Sequence, residues 1–220
     1  MRTKLAAGLL LILGVPAFAH RLDEYLQATI ITLERNQVEL FMRLVPGVAV
    51  AASVVGNIDK NGDGAISGLE QRAYAEQVLR DLSITIDGIR LNPQMTSVTF
   101  PTVDAINQGL GEIQFELSAP LPPAATAKRT LAVENHHQNG ISAYLVNCLV
   151  PRDGDLRVTA QNRNQNQSGY RLDYIQSSAL SRAPRAGLFS GTQRSWDMAV
   201  LIALLGFAIL CGKQFVDALG

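Results

Sequence analysis

The sequence predicts a mainly β protein: a β-sandwich-like extracytoplasmic domain with an inserted helix-loop-helix, plus one C-terminal transmembrane helix. Three observations support this prediction. Short β-rich runs recur along the chain, one twelve-residue polar loop lies between two helical segments, and apolar runs stand near both ends. The 220 residues include 19 basic and 19 acidic side chains, so the formal net charge is zero. This balance points to neither nucleic acid nor another polyanion as a partner.

Nine β-rich runs support the sandwich. The first two, residues 25–33 and 37–44, are separated by a polar turn and predict a hairpin. Turn-forming residues such as Asp87-Gly88 and Asn139-Gly140 separate several of the others. These seven runs are 83–86, 97–103, 112–117, 129–134, 143–150, 156–161 and 170–175. So many short strands favour a β-sandwich, with the helix-loop-helix inserted after the second strand.

The N-terminus has the parts of a secretory signal. Two basic residues lie within the first four positions, an apolar run spans residues 5–15, and a small-residue motif ends at Ala19. We therefore expect residues 1–19 to be a signal peptide that is cleaved before His20. An uncleaved anchor is the competing interpretation, but the apolar run is short for a membrane span.

A second apolar run, residues 198–212, predicts a transmembrane helix over 197–215. The run is short for a hydrocarbon core of about 30 Å, but Trp196 can lie at the interface and Lys213 can extend towards it. The alternative is a buried helix of a soluble domain. It is less favoured because the run is apolar all round and has no face for solvent.

The signal peptide and the charges around the span give conflicting indications of the orientation of the main domain. We expect residues 20–178 to form the extracytoplasmic β-domain and residues 179–196 to link it to the membrane. The signal peptide supports this orientation. The positive-inside rule points the other way, because three arginines precede the span and one lysine follows it. We give the signal peptide more weight and expect a single-pass protein whose main domain lies outside the cytoplasm.

Residues 59–70, DKNGDGAISGLE, match an EF-hand calcium loop position by position. Calcium is a hard cation that takes six to eight oxygen ligands, and Gly64 stands where the loop must bend sharply. The predicted calcium ligands, at loop positions 1, 3, 5, 7, 9 and 12, are Asp59, Asn61, Asp63, Ala65 through its carbonyl, Ser67 and Glu70. The alternative is a turn rich in Asp and Asn that happens to precede a helix.

Helical segments are expected on both sides of this loop, giving an EF-hand over residues 48–82. The incoming helix is predicted at 48–57 and the outgoing helix at 70–82, and Ile66 should turn into the core. The apolar face of the outgoing helix is predicted to contain Leu69, Ala73, Val78 and Leu82. A single hand without a partner suggests weak affinity, about 10⁻⁴ to 10⁻³ M as in extracellular modules, and a structural rather than a signalling role.

Four sequence runs together resemble a known family. They are HRLDEYLQA from residue 20, VPGV at 45–48, ENHH at 134–137 and YLVN at 144–147. This combination resembles the extracytoplasmic portion of HupE/UreJ-like proteins, over residues 18 to about 178. Those are bacterial membrane proteins associated with nickel or cobalt uptake, so the resemblance implies a bacterial cell membrane and a periplasmic main domain.

The chain departs from that family after its β-domain. HupE/UreJ-like transporters continue into several membrane helices that carry histidine-rich metal sites, whereas one apolar run follows the domain here. Transport is therefore not carried over. What the resemblance leaves open is accessory metal binding at the outer face, beside a membrane transporter or another protein partner.

The histidines provide the alternative function, an accessory metal-binding protein for nickel, cobalt or copper uptake. Cleavage before His20 would leave a free amine beside its ring, and an imidazole from His136 or His137 would complete a nitrogen-rich site. The competing view is that His20 is a frayed terminus. Since adjacent strand residues point to opposite faces, at most one of His136 and His137 would join a site.

Enzymatic activity is not expected. The sequence has no G-x-S-x-G nucleophile elbow, no H-E-x-x-H zinc motif and no phosphate-binding glycine loop. Isolated acidic pairs such as Asp23-Glu24 are usually solvated. An unrecognised hydrolase is the third interpretation, and it would need a polar cleft with perturbed carboxylates.

Overall fold

The computed structural model describes residues 23–177. Of these residues 46% lie in strands and 19% in helices, so this part of the chain is mainly β, as predicted. Its ten strands form two five-stranded sheets. The predicted signal peptide, His20, the linker and the C-terminal transmembrane helix lie outside these residues. Between residues 23 and 177, no helix is both long and apolar enough to span a bilayer.

Two helices follow the second strand, as the sequence predicts. The first four elements are β1 (Tyr25–Leu33), β2 (Gln37–Pro46), α1 (Val48–Ile58) and α2 (Gly68–Asp81). The next four are β3 (Leu82–Ile86), β4 (Ile89–Arg90), β5 (Gln94–Thr99) and α3 (Val103–Asn107). The last five are β6 (Ile113–Pro120), β7 (Lys128–Asn135), β8 (Ser142–Cys148), β9 (Leu156–Arg163) and β10 (Gly169–Gln176).

The first sheet has the strand order β5-β6-β2-β1-β8, and the second has β4-β3-β7-β10-β9. Strand β1 pairs antiparallel with β2 and parallel with β8. Buried and partly exposed side chains alternate along β1 and β2, because successive residues of a strand point to opposite faces. The buried side chains of both sheets belong to one hydrophobic core.

Two short elements correct the predicted strand boundaries. The strand predicted at 97–103 is β5, which ends at Thr99, and Val103 instead begins α3. The Thr102 side chain accepts a hydrogen bond from the Ala105 amide at 3.2 Å, which is a helix N-cap. Strand β4 was not predicted, because two residues are too few to show an alternating pattern.

The buried face of α2 differs from the predicted one. Leu69 is 73% exposed and Ala73 is also exposed, so their assignment to the apolar face was wrong, whereas Val78 is buried as predicted. The buried residues of α2 are Glu70, Tyr74, Ala75 and Val78. Glu70, Tyr74 and Val78 are spaced four positions apart and therefore share one side of the helix. Glu70 and Tyr74, the first two residues of this buried face, carry polar groups. A search for an apolar pattern alone therefore could not identify the face.

Candidate calcium site

The loop between α1 and α2 has the backbone bend that an EF-hand needs. Gly62 and Gly64 have φ values of 70° and 79°, in the left-handed region that favours glycine. A Cβ atom at either position would have nothing within 4 Å. The backbone conformation, rather than a close neighbour, therefore makes glycine the suitable residue at the sixth loop position.

Asp59 organises the first half of the loop. Its Oδ1 accepts a hydrogen bond from the Gly62 amide at 2.7 Å, and its Oδ2 accepts one from the Gly64 amide at 2.9 Å. The residue is 8% exposed. The carboxylate thus faces the inside of the loop, where the first ligand of an EF-hand belongs.

Glu70 joins the two ends of the loop and is 9% exposed. Its Oε1 accepts a hydrogen bond from the Lys60 amide at 2.8 Å, and its Oε2 accepts from the Ser67 amide at 2.9 Å and hydroxyl at 2.8 Å. The Ser67 hydroxyl in turn caps α2, which completes a capping box. Hydrogen bonds from Ser67, its backbone amide first, hold the pKa of the Glu70 carboxyl below its usual value.

Two other predicted ligands, Asn61 and Asp63, lie at the exposed tip of the loop. Asn61 Nδ2 donates to Asp63 Oδ2 at 2.8 Å, and the Ala65 amide donates to Asp63 Oδ1 at 2.9 Å. Ile66 is partly buried and packs against the hydrophobic core, as predicted. The loop therefore has an inner half around Asp59 and Glu70, and a solvent-facing half around Asn61 and Asp63.

The chemistry of this donor set fits calcium, although the carboxylates are not gathered around one point. Within residues 23–177, no three His, Cys, Asp or Glu side chains form a group that could hold a metal. In the loop, Asp59 and Glu70 accept hydrogen bonds from backbone amides instead. The predicted ligands offer only oxygen atoms, which is the calcium preference. Binding thus requires the loop carboxylates to be drawn closer together than they are here.

The structure separates the two adjacent histidines. His136 has a side chain that is 59% exposed, with Nε2 3.4 Å from Glu134 Oε2. His137 is fully buried, with Nδ1 2.8 Å from Asp81 Oδ2 and Nε2 2.9 Å from the Tyr74 hydroxyl. Both ring nitrogens of His137 are therefore engaged within the protein, and neither is offered to a transition metal together with His136.

A largely buried group of polar side chains surrounds His137, and no sequence pattern predicts it. The Tyr25 and Tyr74 hydroxyls lie 2.7 Å apart, and the His137 carbonyl accepts hydrogen bonds from Gln27 at 2.8 Å and from the Tyr144 hydroxyl at 2.9 Å. We call the connected set the His137 network: Tyr25, Gln27, Tyr74, Asp81, Asn135, His137, Gln138, Ser142 and Tyr144. Its only sequence signal is that polar and aromatic residues occupy inward positions of β1 and β8.

Burial changes the protonation of this network. It lowers the pKa of His137, and the hydrogen bond that His137 Nδ1 donates to Asp81 offsets this effect only in part. It raises the pKa of Tyr25 and of Tyr74. At neutral pH the network therefore holds a neutral imidazole beside a neutral phenol.

A small cavity of about 10 Å³ lies beside the network. Gln27, Asn135, Tyr144 and Ser168 contribute polar groups to its lining. This volume is close to what one water molecule needs. The cavity is therefore too small to admit a substrate.

Comparison with known proteins finds no protein-family model and no curated protein that matches this chain. The resemblance to HupE/UreJ-like proteins thus remains a prediction from the four sequence runs.

Proposed function

We propose that this chain is a membrane-anchored, extracytoplasmic calcium-binding protein without enzymatic activity, in which calcium orders a single EF-hand. One observation carries the proposal. A glycine bend lies between two helices, and the first and last predicted ligands, Asp59 and Glu70, are nearly buried and face the loop. A turn rich in Asp and Asn that only happens to precede a helix would not require a carboxylate of that helix to accept a hydrogen bond from the start of the loop. Glu70 accepts such a bond from the Lys60 amide.

The proposed ligands are those that the sequence predicts. The side chains of Asp59, Asn61, Asp63, Ser67 and Glu70 and the carbonyl of Ala65 would hold calcium. When bound, calcium supplies the positive charge that offsets the mutual repulsion of three carboxylates. The ion would stabilise the loop and the orientation of α2.

The surroundings of the loop favour a structural role for the ion. We interpret the two sheets as a β-sandwich that braces the hand in place of a second EF-hand. The proposed location, a bacterial cell membrane with this domain in the periplasm, rests on the signal-like N-terminus and the apolar run at 198–212. A weak site is adequate there, because extracellular calcium modules work at about 10⁻⁴ to 10⁻³ M.

The alternative, an accessory to nickel, cobalt or copper uptake, is not favoured by the geometry. It needs an imidazole from His136 or His137 beside His20, yet both ring nitrogens of His137 have partners within the protein. His136 remains exposed, but a single exposed imidazole is a weak site. This function remains a prediction from the sequence.

Calorimetry on the full chain in detergent tests the proposal. Calcium should bind with a dissociation constant of about 10⁻⁴ to 10⁻³ M, and Asp59→Ala should abolish the heat of binding. Glu70→Gln should weaken binding most among conservative changes, because it removes the charge of the ligand that can bind with both oxygens. Glu76→Gln is the matched control, since Glu76 lies on the same helix but is exposed and faces Arg80 at 4.0 Å.

Thermal unfolding provides a second measurement. Calcium at about one hundred times its dissociation constant should stabilise the fold by about 2.7 kcal/mol, and a chelator should reverse this gain. Absence of both the heat and the stabilisation at about 10 to 100 mM calcium, one hundred times the expected dissociation constant, would rule out the proposed function.

A further inference from the structure

Helix α2 connects the proposed calcium site to the His137 network. Glu70 and Tyr74 are four positions apart and both are buried, so they lie on the same face of the helix, one turn from each other. Glu70 faces the loop, whereas the Tyr74 hydroxyl lies 2.9 Å from His137 Nε2. A shift of α2 at Tyr74 would therefore also move Glu70.

His137 contacts α2 near its middle and at its end. Its two ring nitrogens bind Tyr74 and Asp81, which are seven residues apart on the helix. The backbone amide of His136 also donates to the Asp81 carbonyl, at 2.9 Å. Three hydrogen bonds between residues 136–137 and α2 thus fix the position of the second half of the helix.

The directions of these hydrogen bonds follow from the chemistry of the groups. An ionised Asp81 can only accept, so His137 Nδ1 carries the proton and donates to it. In a neutral ring Nε2 then accepts from the Tyr74 hydroxyl, which can accept in turn from Tyr25. Each member therefore depends on its neighbour, and removal of the Tyr74 hydroxyl leaves His137 Nε2 with only the longer contact to the Gln138 side-chain amide, at 3.4 Å.

His137 is itself held by both sheets. Its backbone amide donates to Asn135 Oδ1 at 2.9 Å, and its carbonyl accepts from Gln27 on β1 and from Tyr144 on β8. Asn135 belongs to β7, in the other sheet. The imidazole therefore has a constant position relative to the strands and can serve as a reference point for α2.

We propose that His137 is a positioning residue for the calcium site: it holds α2 where Glu70 faces the loop, and so sets the affinity for calcium without contacting the ion. The inference rests on the proposed function. The coupling is reciprocal, so calcium in turn stabilises the contact between α2 and His137. Coupling of this kind changes affinity by about 5- to 150-fold.

The test compares calcium dissociation constants of the full chain by calorimetry, at a temperature where every variant is folded. Tyr74→Phe, which removes one oxygen atom, and His137→Gln should each weaken calcium binding by about fivefold or more. Combining them should weaken it by less than the sum of the two single effects, because both variants remove the hydrogen bond between Tyr74 and His137 Nε2. If the glutamine variant does not fold, the phenylalanine variant still gives the result.

Two controls separate positioning from general loss of stability. Tyr174→Phe removes the hydroxyl of another buried tyrosine, on β10, and Ile113→Val shortens a core side chain on β6. Both strands lie outside the His137 network, so both variants should keep the wild-type dissociation constant. A destabilised fold that remains folded during the measurement does not by itself change affinity, whereas a displaced Glu70 does.

The outcomes distinguish the two proposals. Wild-type binding with an unchanged dissociation constant in Tyr74→Phe and His137→Gln overturns the positioning role and leaves the calcium site intact. No wild-type binding overturns both. Hydrogen exchange of the calcium-free chain adds a readout that needs no ion: Tyr74→Phe should speed exchange of the α2 amides, and unchanged exchange also overturns the positioning role.

Discussion

The proposed calcium loop and the His137 network are both polar and well hydrogen-bonded, but they are built over different distances along the chain. The loop connects residues that are close in sequence: the bond from the Lys60 amide to Glu70 spans 10 positions, and that from Gly62 to Asp59 spans 3. In the network, Gln27 bonds to a carbonyl 110 positions away, and His137 bonds to Tyr74 across 63. The loop orders its own segment, whereas the network joins a helix to both sheets.

This difference determines how each region responds to a lost partner. Much of the loop is exposed, so water can replace a missing hydrogen bond and the carboxylates can rearrange around an ion. The centre of the network, around Tyr25, Tyr74 and His137, is buried, so a group there that loses its partner remains unsatisfied at a cost of about 1–3 kcal/mol. The loop is suited to rearrange around the proposed ion, and the network is suited to keep one arrangement.

His137→Ala is expected to have the largest effect on stability. It leaves the Tyr74 hydroxyl without its acceptor and opens a cavity in a fully buried position, so we expect a loss of about 3 kcal/mol in the free energy of unfolding. Urea unfolding of the calcium-free chain measures this loss. The matched control is His136→Ala, which removes an exposed ring and should cost no more than about 0.5 kcal/mol. Equal losses in the two variants would show that the network is no more sensitive than the surface.

Acid should affect the two regions in separate pH ranges. Burial lowers the pKa of His137, so the unfolded chain binds a proton at higher pH than the folded chain does. The stabilisation by the neutral ring is complete above about pH 6.5 and is lost as pH falls from there towards the folded-state pKa. Glu70, whose pKa is also lowered, contributes fully above about pH 4.3 and loses this contribution only as pH falls further.

Melting temperatures between about pH 7.5 and 3.5 measure this separation. His137→Gln should remove the decline that begins near pH 6.5 and keep the later one, whereas Glu70→Gln should do the reverse. If the glutamine variant at position 137 retains the upper decline, another group is responsible for it.

The sequence predicts the loop better than the network for a physical reason. Calcium ligands must occur at defined positions within twelve residues, so DKNGDGAISGLE carries the whole pattern. The sequence pattern of a strand is also local, because inward-facing and outward-facing residues alternate along it. Strand β1 was accordingly predicted with the bounds that the structure shows. The shorter β4 and α3 were missed, since a few residues cannot establish a period.

The network could not be predicted, because its partners are brought together only by the fold. In the sequence, Tyr25 and Tyr144 look like ordinary strand aromatics. The imidazole of His137 suggested a metal ligand, and no sequence pattern shows that Tyr74 and Asp81 would instead contact its ring. The same limit explains the error on α2, where Leu69 was expected inside. The choice of the buried face depended on Tyr74, whose hydroxyl needs a distant partner.

Tyr174→Phe should have the smallest effect, and it isolates the role of hydrogen bonding from that of burial. Tyr74 and Tyr174 are both 1% exposed, but within residues 23–177 the Tyr174 hydroxyl has no hydrogen-bond partner. Removing an unpaired buried hydroxyl removes a desolvation cost, so the free energy of unfolding should stay within about 0.5 kcal/mol of wild type or rise.

Tyr74→Phe, by contrast, should lose about 1–2 kcal/mol, because it takes the hydroxyl away from His137 Nε2 and from Tyr25. The pair is matched in residue type, burial and substitution, so urea unfolding of both variants compares the hydroxyl partners alone. A loss in Tyr174→Phe as large as that in Tyr74→Phe would mean that the atom removed, rather than its partner, determines the cost. The network would then be no more than a collection of well-packed aromatic rings.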